Sequence, residues 1–437
     1  MTRILIRAGK SPFAPMSAYD TFDKNVIGNN NGNLLFSSAT HKLLAADGVV
    51  VKAHGLTLSK SHAAKVSAEF DAFVLPLANA FRPDFGRHLR FINEFIEALT
   101  IPTVMLSGGA QIEPGGGFES LDSIKEEVKR FCRAVLKTSS HITVRGERTA
   151  EYIRSLGFSD VLVIGCPSMT MNGPGHTVRN LDVKDKYKIA YNIESSKDLM
   201  GTLVESVESD HDATYFPQDM STFEQMLWGV EKYKSTRDAR LPLRMSHHQF
   251  TTNKAEYHLD PYTWINRMRD FDLSFGPRIH GNVIPILAGT PSVVFAHDSR
   301  TLELAEYHEV PHFTPDEVAS VESLDQVIER ADFTKFNAGH TARFEKVQKF
   351  LNDNGIATIY DQGQEKARSK YENRLAGLDF PEPQGTEWAS MTPGGASRLR
   401  KQRVAEVELA KLRAENVALK KSLKLQAAAL QPLAKIA

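Results

Sequence analysis

The sequence has no excess of charge of either sign, because 53 lysines and arginines stand against 53 aspartates and glutamates. A dedicated nucleic-acid-binding protein carries an excess of basic residues, so this balance argues against that class but allows a local basic pocket. The apolar runs are no longer than a strand, and the first residues lack the apolar core of a secretory signal. We therefore expect a cytoplasmic protein that binds no nucleic acid.

Cysteine is also scarce, and this bears on metal binding. Cys132 and Cys166 are far apart and match no metal-ligand spacing, so they are predicted to be buried free thiols in a reducing compartment. His247 and His248 are the other candidate ligands, but neighbouring residues of a strand point to opposite faces and would chelate poorly. The sequence therefore predicts no metal site.

What the sequence does contain is a regular alternation of strand-like and helix-like segments. Helices are predicted between most of the strands, which favours an α/β fold with parallel sheets covered by helices on both faces. The predicted strands are 4–6, 49–51, 72–76, 102–107, 142–145, 160–165, 187–191, 213–216, 241–245, 271–275 and 292–296.

A polar stretch at residues 172–186 divides this alternation into two series. We expect an N-terminal α/β domain at 1–180 and a C-terminal one at 181–360, because 437 residues suffice for two domains and a tail. Two Rossmann-like domains with a ligand crevice between them outline a GT-B-like arrangement. Residues 361–396 contain several prolines and glycines and are predicted to be a linker.

Residues 397–430 are predicted to form one helix with a coiled-coil seam. Asparagine at an a position and leucine at d favour a parallel two-stranded coil, so we expect a homodimer through this helix. The basic segment 398–403 could contact acidic lipid at the inner face of the membrane, although a solvated helix start is favoured. The seam residues are Ala405, Leu409, Leu412, Asn416, Leu419 and Leu423.

The clearest candidate site lies between residues 275 and 295. Gly276 and Pro277 break the chain after a predicted strand, and a short helix is predicted at 282–288. Arg278 and His280 lie at this turn. A guanidinium beside an imidazole suits an anion site with an acid/base group, but a surface arginine and a hydrogen-bonded core histidine fit equally well.

Further candidates lie at other turns between strands and helices, because open α/β sheets bind ligands at the carboxyl ends of their strands. Arg145 and Ser168 each follow a predicted strand. The small residues at 28–33 precede a helix predicted at 34–44 and would expose backbone N–H groups to a ligand, although a flexible loop is the alternative. The candidate residues of this loop and of the turn after strand 102–107 are Asn31, Gly32, Asn33 and Gly109.

Four stretches in this order resemble the polysaccharide pyruvyl transferase family. They are residues 28–33, residues 143–157 with 163–168, the GPRIHG motif at 276–281, and GTPSVVFAHDSRTLEL at 289–304. The resemblance implies a GT-B-like fold and an enzyme that moves the pyruvyl group of phosphoenolpyruvate onto sugar hydroxyls. The product is a pyruvate ketal on a polysaccharide precursor or a lipid-linked one, and no redox cofactor or metal is expected.

The resemblance also implies roles for single residues. Arg145, Arg278 and Arg300 would bind phosphoenolpyruvate, because arginine pairs bidentately with both carboxylate and phosphate. His280 would be the catalytic acid/base group, with Arg278 beside it. The N-terminal domain, with its loop at 28–33, would serve the acceptor.

Three departures from the family pattern keep alternatives open. Asn33 stands where an aspartate is usual, the turn at 165–168 replaces Gly-Asp-Pro, and Arg300 replaces a lysine. A GT-B glycosyltransferase using a nucleotide sugar shares the architecture, but no acidic residue is placed to hold its ribose. A catalytically inactive scaffold of polysaccharide assembly is the other alternative.

Overall fold

The computed structural model describes residues 1–112, 116–234 and 236–430, in which parallel strands form two main sheets flanked by helices. The first sheet has the order β2-β1-β3-β4, and the pair β5-β6 adjoins β4 through a bridge between Gly108 and Val144. Its strands are β1 (Thr2–Ile6), β2 (Val49–Ala53), β3 (Ala72–Pro76), β4 (Thr103–Leu106), β5 (Ile142–Val144) and β6 (Val161–Val163).

The second sheet has the order β11-β10-β9-β7-β8, again with parallel neighbours. Parallel strands need crossover connections, and helices provide most of them. The mixed α/β class with parallel sheets is therefore confirmed. The strands are β7 (Lys188–Tyr191), β8 (Asp212–Tyr215), β9 (Leu273–Gly276), β10 (Ser292–Phe295) and β11 (His312–Phe313).

The helices cover both faces of the sheets and extend beyond them at the carboxyl end. They are α1 (Ala18–Asp23), α2 (Gly32–Leu43), α3 (Ala63–Glu69), α4 (Gly86–Ala98), α5 (Lys125–Val135), α6 (Glu147–Ser155), α7 (Gly201–Asp210), α8 (Met220–Trp228), α9 (His248–Thr251), α10 (Pro261–Met268), α11 (Ile279–Ala288), α12 (Ser299–His308), α13 (Leu324–Arg330), α14 (Thr334–Asp353), α15 (Glu365–Ala376) and α16 (Pro393–Leu430).

The two faces of the first sheet are buried against different parts of the chain. Leu5 and Phe73 point to the side of α4 and α5, whereas Ile4 and Val74 point to the opposite side. This alternation follows from the two-residue period of a strand. The second face is covered by the end of α14 and the turn after it, through Val347, Phe350, Leu351 and Ile356.

Helix α2 connects the two sheets through its packing. Leu34 lies in the same apolar cluster as Tyr191 and Phe275 of the second sheet. Leu43, at the other end of the helix, packs with Ile4 of the first sheet. The ends of the strands from both sheets are thereby held close to one another.

Two local predictions were wrong. Residues 241–245 form turns rather than a strand: Leu241 and Leu243 are buried in the core, but Pro242 between them offers no N–H for pairing. Helix α11 begins at Ile279, earlier than predicted, so His280 lies in its first turn instead of a loop.

The carboxyl-terminal region also differs from the prediction of a bare linker. The segment 361–396 contains α15, and Trp388 within it is buried and donates its indole N–H to the carbonyl of Gln225 at 2.8 Å. Helix α15 escaped prediction because Tyr371 is its one buried residue among those described, which leaves almost no apolar periodicity.

Helix α16 is continuous, as predicted, and among its described side chains the contacts with the rest of the chain lie at its start. Arg403 pairs with Glu224 at 3.2 Å, and its guanidinium lies 4.2 Å from the Trp228 ring. This arginine of the basic segment is therefore docked on protein. The leucines beyond it, from Leu409 to Leu423, are exposed. Within the described residues, no helix combines the length and apolar character needed to span a membrane.

Candidate active site

A pocket of about 420 Å³ lies where the carboxyl ends of strands from both sheets meet. Five arginines and a single carboxylate are among the described residues that line it, so its lining carries net positive charge. These charged residues are Arg7, Arg82, Arg145, Arg278, Arg300 and Glu194. Such a pocket favours an anionic ligand.

Arg145, directly after β5, is the most deeply buried of these cations at 3% exposure. Its Nε and Nη2 atoms find no hydrogen-bond partner among the described residues, and its guanidinium lies 5.9 Å from the Phe36 ring. Burial lowers the pKa of the group, because the charged form is poorly solvated. Buried donors that lack partners are rare and costly, so this guanidinium is poised to bind an anion.

Arg278 follows β9 and is held from several sides. Its backbone N–H donates to Asn192 Oδ1 at 2.7 Å, and its Nη2 lies 3.3 Å from Glu194 Oε1. Burial raises the pKa of Glu194, but the charge of Arg278 and the hydrogen bonds from Ser196 outweigh it, so the pKa lies below its usual value. Arg278 thus already has a carboxylate partner.

Arg300 is in the first turn of α12 and forms a fork onto Asp298, the residue that caps this helix. Burial raises the pKa of Asp298, but Arg300 and His297 bring it down to about 2. His297 Nε2 lies 3.8 Å from Glu194 and 3.6 Å from Asp298. These residues form one ionic network, which we call the charged rim: Glu194, Arg278, His297, Asp298 and Arg300.

His280 lies beneath this rim at 8% exposure, with its Nε2 atom 4.0 Å from the sulfur of Cys166. Burial, and secondarily the charge of Arg145, lowers its pKa to about 3. The imidazole of the free protein is therefore neutral at physiological pH and can accept a proton. We call Arg145 and His280 the buried pair.

Close backbone packing fixes the position of His280. A Cβ atom added to Gly32 would lie 2.6 Å from both Cβ and Nδ1 of His280, so only glycine allows the start of α2 to approach the ring. At the other end of the motif, Gly276 has φ +148° and a Cβ there would lie 2.3 Å from the Asn192 carbonyl oxygen. Two of the stretches singled out from the sequence therefore meet at this histidine.

The other predicted acceptor-loop residues do not all reach the pocket. Asn31 points away from it, since its amide donates to the His258 carbonyl at 3.1 Å. Gly109 lies against the side chain of Arg145 rather than in the lining. Asn33 does line the pocket, and its amide donates to the carbonyls of Ile27 at 2.8 Å and Gly28 at 3.3 Å.

Two departures from the family pattern have local explanations. The Asn33 amide closes its own loop by donating to carbonyls, a role that an aspartate could not fill. Ser168 is fully buried behind the pocket, and its hydroxyl accepts from the thiol of Cys166 at 3.3 Å. The aspartate that the family often carries would fall at Cys166, beside the ring of His280.

Arg7, Arg82 and Glu194 were missed by the sequence reasoning. Arg7 directly follows β1, where its Nε donates to the Leu56 carbonyl at 2.9 Å, and burial lowers its pKa to about 10. Arg82 lies in the segment after β3, and Glu194 follows β7. The rule that favoured Arg145 and Arg278, a charged residue at a strand's carboxyl end, could also have found Arg7 and Glu194, whereas Arg82 lies further from the end of its strand.

The sequence profile of the polysaccharide pyruvyl transferase family matches residues 30–299. This range includes Arg145, Arg278 and His280. No curated protein sequence matches the chain.

The following three solved structures are distantly similar to the chain. A functionally uncharacterized protein from Klebsiella pneumoniae is 12% identical, with 72% of this chain and 93% of that chain covered and a TM-score of 0.38. MnaA of S. aureus in complex with UDP is 13% identical, with coverage of 87% and 99% and a TM-score of 0.37. A UDP-GlcNAc 2-epimerase from Neisseria meningitidis is 10% identical, with coverage of 86% and 100% and a TM-score of 0.38. Likenesses this weak support no functional argument.

Proposed function

Because the chain belongs to the polysaccharide pyruvyl transferase family and is thus a transferase, we propose that its donor is phosphoenolpyruvate and its acceptor a pair of sugar hydroxyls. The pyruvyl group would be moved onto a polysaccharide or glycolipid precursor as a ketal, with release of phosphate. The GT-B-like arrangement of the two sheets, with the pocket between them, is part of this proposal.

The observation that carries the proposal is the buried guanidinium of Arg145. Two of its donors lack partners among the described residues, and four further arginines line the same pocket. Phosphoenolpyruvate brings a carboxylate and a phosphate that are bound to the same carbon, and arginine pairs bidentately with either group. A small ligand with two anionic groups would satisfy Arg145 and still reach Arg278 or Arg300.

The reaction needs one proton transfer at carbon and two bonds to oxygen. C3 of the enol gains a proton, one sugar hydroxyl bonds to C2, the bond from C2 to the phosphate oxygen breaks, and the second hydroxyl closes the ketal. The two hydroxyl protons balance the one gained at C3 and the one leaving with phosphate. No redox step occurs.

His280 suits the proton transfers of this reaction. Its neutral imidazole in the free protein can take the proton of an attacking hydroxyl. A bound ligand with two or more negative charges would raise the pKa of the ring, so that it could hold a proton for C3. The arginines would stabilise the negative charge that grows on the leaving phosphate.

The size of the pocket suits a donor and an acceptor together. Its volume of about 420 Å³ falls in the usual range for ligand sites, about 300–1,000 Å³. Phosphoenolpyruvate has only ten non-hydrogen atoms, so space remains for the end of a sugar. Asn29, Asn30, Asn33 and Gln218 provide polar groups along that lining.

Isothermal titration of the purified chain with phosphoenolpyruvate tests the donor directly. We expect saturable binding that is lost in Arg145→Met and kept in Arg87→Met, which removes an exposed arginine of α4. Saturable binding of a nucleotide sugar without any response to phosphoenolpyruvate would instead favour the glycosyltransferase alternative.

Mass spectrometry of a glycan pool incubated with the chain and phosphoenolpyruvate tests the reaction. We expect one pyruvate ketal on the acceptor and equimolar phosphate, both abolished by His280→Ala. Product formation that is unchanged in His280→Ala and Arg278→Ala would remove both residues from the mechanism. Binding of phosphoenolpyruvate without any product from a broad pool of acceptors would favour the inactive scaffold.

We propose further that the exposed part of α16 pairs with a second copy, and that the enzyme works in the cytoplasm, where phosphoenolpyruvate is available. Leu409, Leu412, Leu419 and Leu423 are 47–61% exposed on one helix, which supports a seam awaiting a partner. Truncation after Glu408 keeps the docked start of the helix. Light scattering should then show a monomer in place of a dimer, and an unchanged mass would exclude the seam.

A further inference from the structure

A second cluster of functional side chains lies on α7 and at the start of α9. Glu208 is on α7, and His247 and His248 lie at the start of α9. The two imidazole rings stack at 4.6 Å between centroids, with an angle of 28° between their planes. This geometry corrects the prediction from the sequence, because in a turn, unlike a strand, adjacent side chains can point the same way.

We propose that Glu208, His247 and His248 bind a divalent transition-metal ion of the zinc type. One ligand atom from each residue lies within 4.8 Å of the others. Nε2 of His247 and of His248 lie 3.6 Å and 3.4 Å from Glu208 Oε2. Tetrahedral zinc with bonds of about 2.0–2.2 Å separates its nitrogen and oxygen ligands by about 3.4 Å.

The chemistry of the three ligands selects the ion. Two imidazoles and one carboxylate suit zinc and its neighbours in the first transition series, whereas calcium and magnesium prefer oxygen ligands alone. Three protein ligands leave the fourth tetrahedral position to water. That position has access to solvent, because the side chain of His248 is 49% exposed while those of Glu208 and His247 are 6% and 8% exposed.

The surrounding residues already orient the carboxylate. The Tyr191 hydroxyl donates to Glu208 Oε1 at 2.5 Å, which leaves Oε2 directed at the histidines. A hydrogen bond of this kind to a ligating carboxylate is a usual component of metal sites. On the other side, His247 Nε2 lies 3.2 Å from the Arg240 carbonyl oxygen, and its Nδ1 accepts from the Gln249 N–H at 3.3 Å. Binding of an ion at Nε2 would replace the contact with Arg240 and break the hydrogen bond from Gln249, because the ring proton would then lie on Nδ1.

The cluster lies next to the segment that supports the pocket. Arg237, from the same segment as Arg240, donates to the Ser195 carbonyl at 2.9 Å and pairs with Asp198 at 2.7 Å. These contacts hold the loop that follows Glu194 of the charged rim. An ion that fixes His247 to α7 would therefore stabilise one wall of the pocket without contacting the substrate.

Zinc titration of the full chain after chelator treatment tests the site, with cobalt as a spectroscopic probe. We expect one zinc per chain and, with cobalt, the intense visible absorption of a tetrahedral centre. His248→Ala should lower the affinity for zinc at least about tenfold, because loss of a residue that only hydrogen-bonds to a metal ligand already costs about 10–100-fold in affinity. Glu208→Gln should act similarly, and Tyr191→Phe should have the smallest effect.

His62→Ala is the matched control, since His62 is exposed and its ring lies 5.9 Å from that of another histidine, His54. Its zinc stoichiometry should equal that of the unaltered chain. One zinc per chain retained in both His248→Ala and Glu208→Gln, or no stoichiometric binding in the unaltered chain, would overturn the proposal. Because His248 is half exposed, its alanine variant should fold, which a melting curve checks.

The proposal of a zinc site and the proposal of pyruvyl transfer can be tested independently of each other. Phosphoenolpyruvate binding in the metal-free chain tests the pocket alone, and cobalt absorption tests the cluster alone. A chain that binds phosphoenolpyruvate but not zinc would leave the proposed function intact.

Discussion

Arg145 and Arg278 line the same pocket, but their charges are balanced in different ways. Arg278 belongs to the charged rim, where Glu194 and Asp298 accompany the cations at 3.3 Å or closer. Arg145 belongs to the buried pair: its Nε and Nη2 have no hydrogen-bond partner among the described residues, and the carboxylates of Glu303 and Asp298 act on its charge without forming an ion pair with it. The cations of the charged rim therefore have carboxylate partners without a ligand, whereas Arg145 of the buried pair has none within ion-pair distance among the described residues.

This difference predicts which of the two arginines contributes more to the affinity for an anionic ligand. A cation with its own carboxylate gains little from a second anion, because the first one already offsets its charge. A buried cation without such a partner stores the cost of its desolvation in the free protein, and an anionic ligand relieves that cost. We therefore expect the affinity for phosphoenolpyruvate to depend on Arg145 most.

The largest expected effect is that of Arg145→Met, which replaces the guanidinium with an apolar side chain of similar length. Affinity for phosphoenolpyruvate should fall about 100-fold, because two charged hydrogen bonds are worth about 3 kcal/mol together. The unliganded variant should unfold at a higher temperature, since a buried unpaired charge is removed. Calorimetry and thermal melts measure the two changes, and a lower melting temperature would show that Arg145 already has compensation.

The pH dependence of stability distinguishes the two histidines. Because the folded pKa of His280 is about 3 and its unfolded pKa about 6.5, the unfolded chain binds more protons between these values. The stability contributed by neutral His280 is thus fully present above pH 6.5 and is lost as the pH falls. Between pH 6.5 and 5, this contribution to the free energy of unfolding falls by about 2 kcal/mol.

Urea unfolding at both pH values should show that this pH-dependent loss of unfolding free energy is absent in His280→Asn. His297, which has Glu194 and Asp298 nearby to raise its pKa against burial, should contribute less. Cys166→Asp places a carboxylate beside the His280 ring. This variant should also reduce the slope of unfolding free energy against pH. Equal slopes in the parent chain and His280→Asn would contradict the burial argument.

Arg278→Ala should have an intermediate effect on binding, about tenfold, which corresponds to about 1.4 kcal/mol. It should also destabilise the free protein, because Glu194 would be left buried without its partner. Adding Glu194→Gln should restore the melting temperature but not the affinity. If the double variant recovered affinity as well, Arg278 would serve only to neutralise Glu194.

The smallest effect is expected from Arg300→Lys, which restores the residue common in the family. Asp298 already pairs with Arg300, and a lysine can keep one contact with it while losing the fork. We expect affinity to change by less than about threefold, or about 0.7 kcal/mol. A loss comparable to that of Arg145→Met would place Arg300 among the primary donor ligands.

The sequence predicted well which cations lie at strand ends, but it did not predict which carboxylates pair with them. Arg145 and Arg278 were identified because a parallel sheet collects ligands at one edge, a rule that needs only local pattern. Glu194 balances Arg278 but not Arg145, and this contact depends on the ends of β7 and β9 lying side by side. No local pattern records that relation.

The predicted geometry of His247 and His248 was wrong for a related reason. The apolar residues at Leu241 and Leu243 suggested a strand, and the strand geometry then excluded chelation by His247 and His248. In the structure those leucines fill the core from a turn, and Glu208 reaches the histidines from a helix 39 residues earlier in the chain. Burial alone does not distinguish a strand from a buried turn.

The covering of the first sheet by α14 has a consequence for synthesis of the chain on the ribosome. The strands β1 to β4 are complete at residue 106, and Leu43 and Leu44 already cover part of one face, but the larger part of its cover begins at Val347. At about 5–20 residues per second, roughly 10–50 s separate the two events. During that interval a nascent chain presents an apolar sheet face that is only partly covered, so its yield in cells should depend on chaperones that shield such surfaces and on the speed of translation between the two segments.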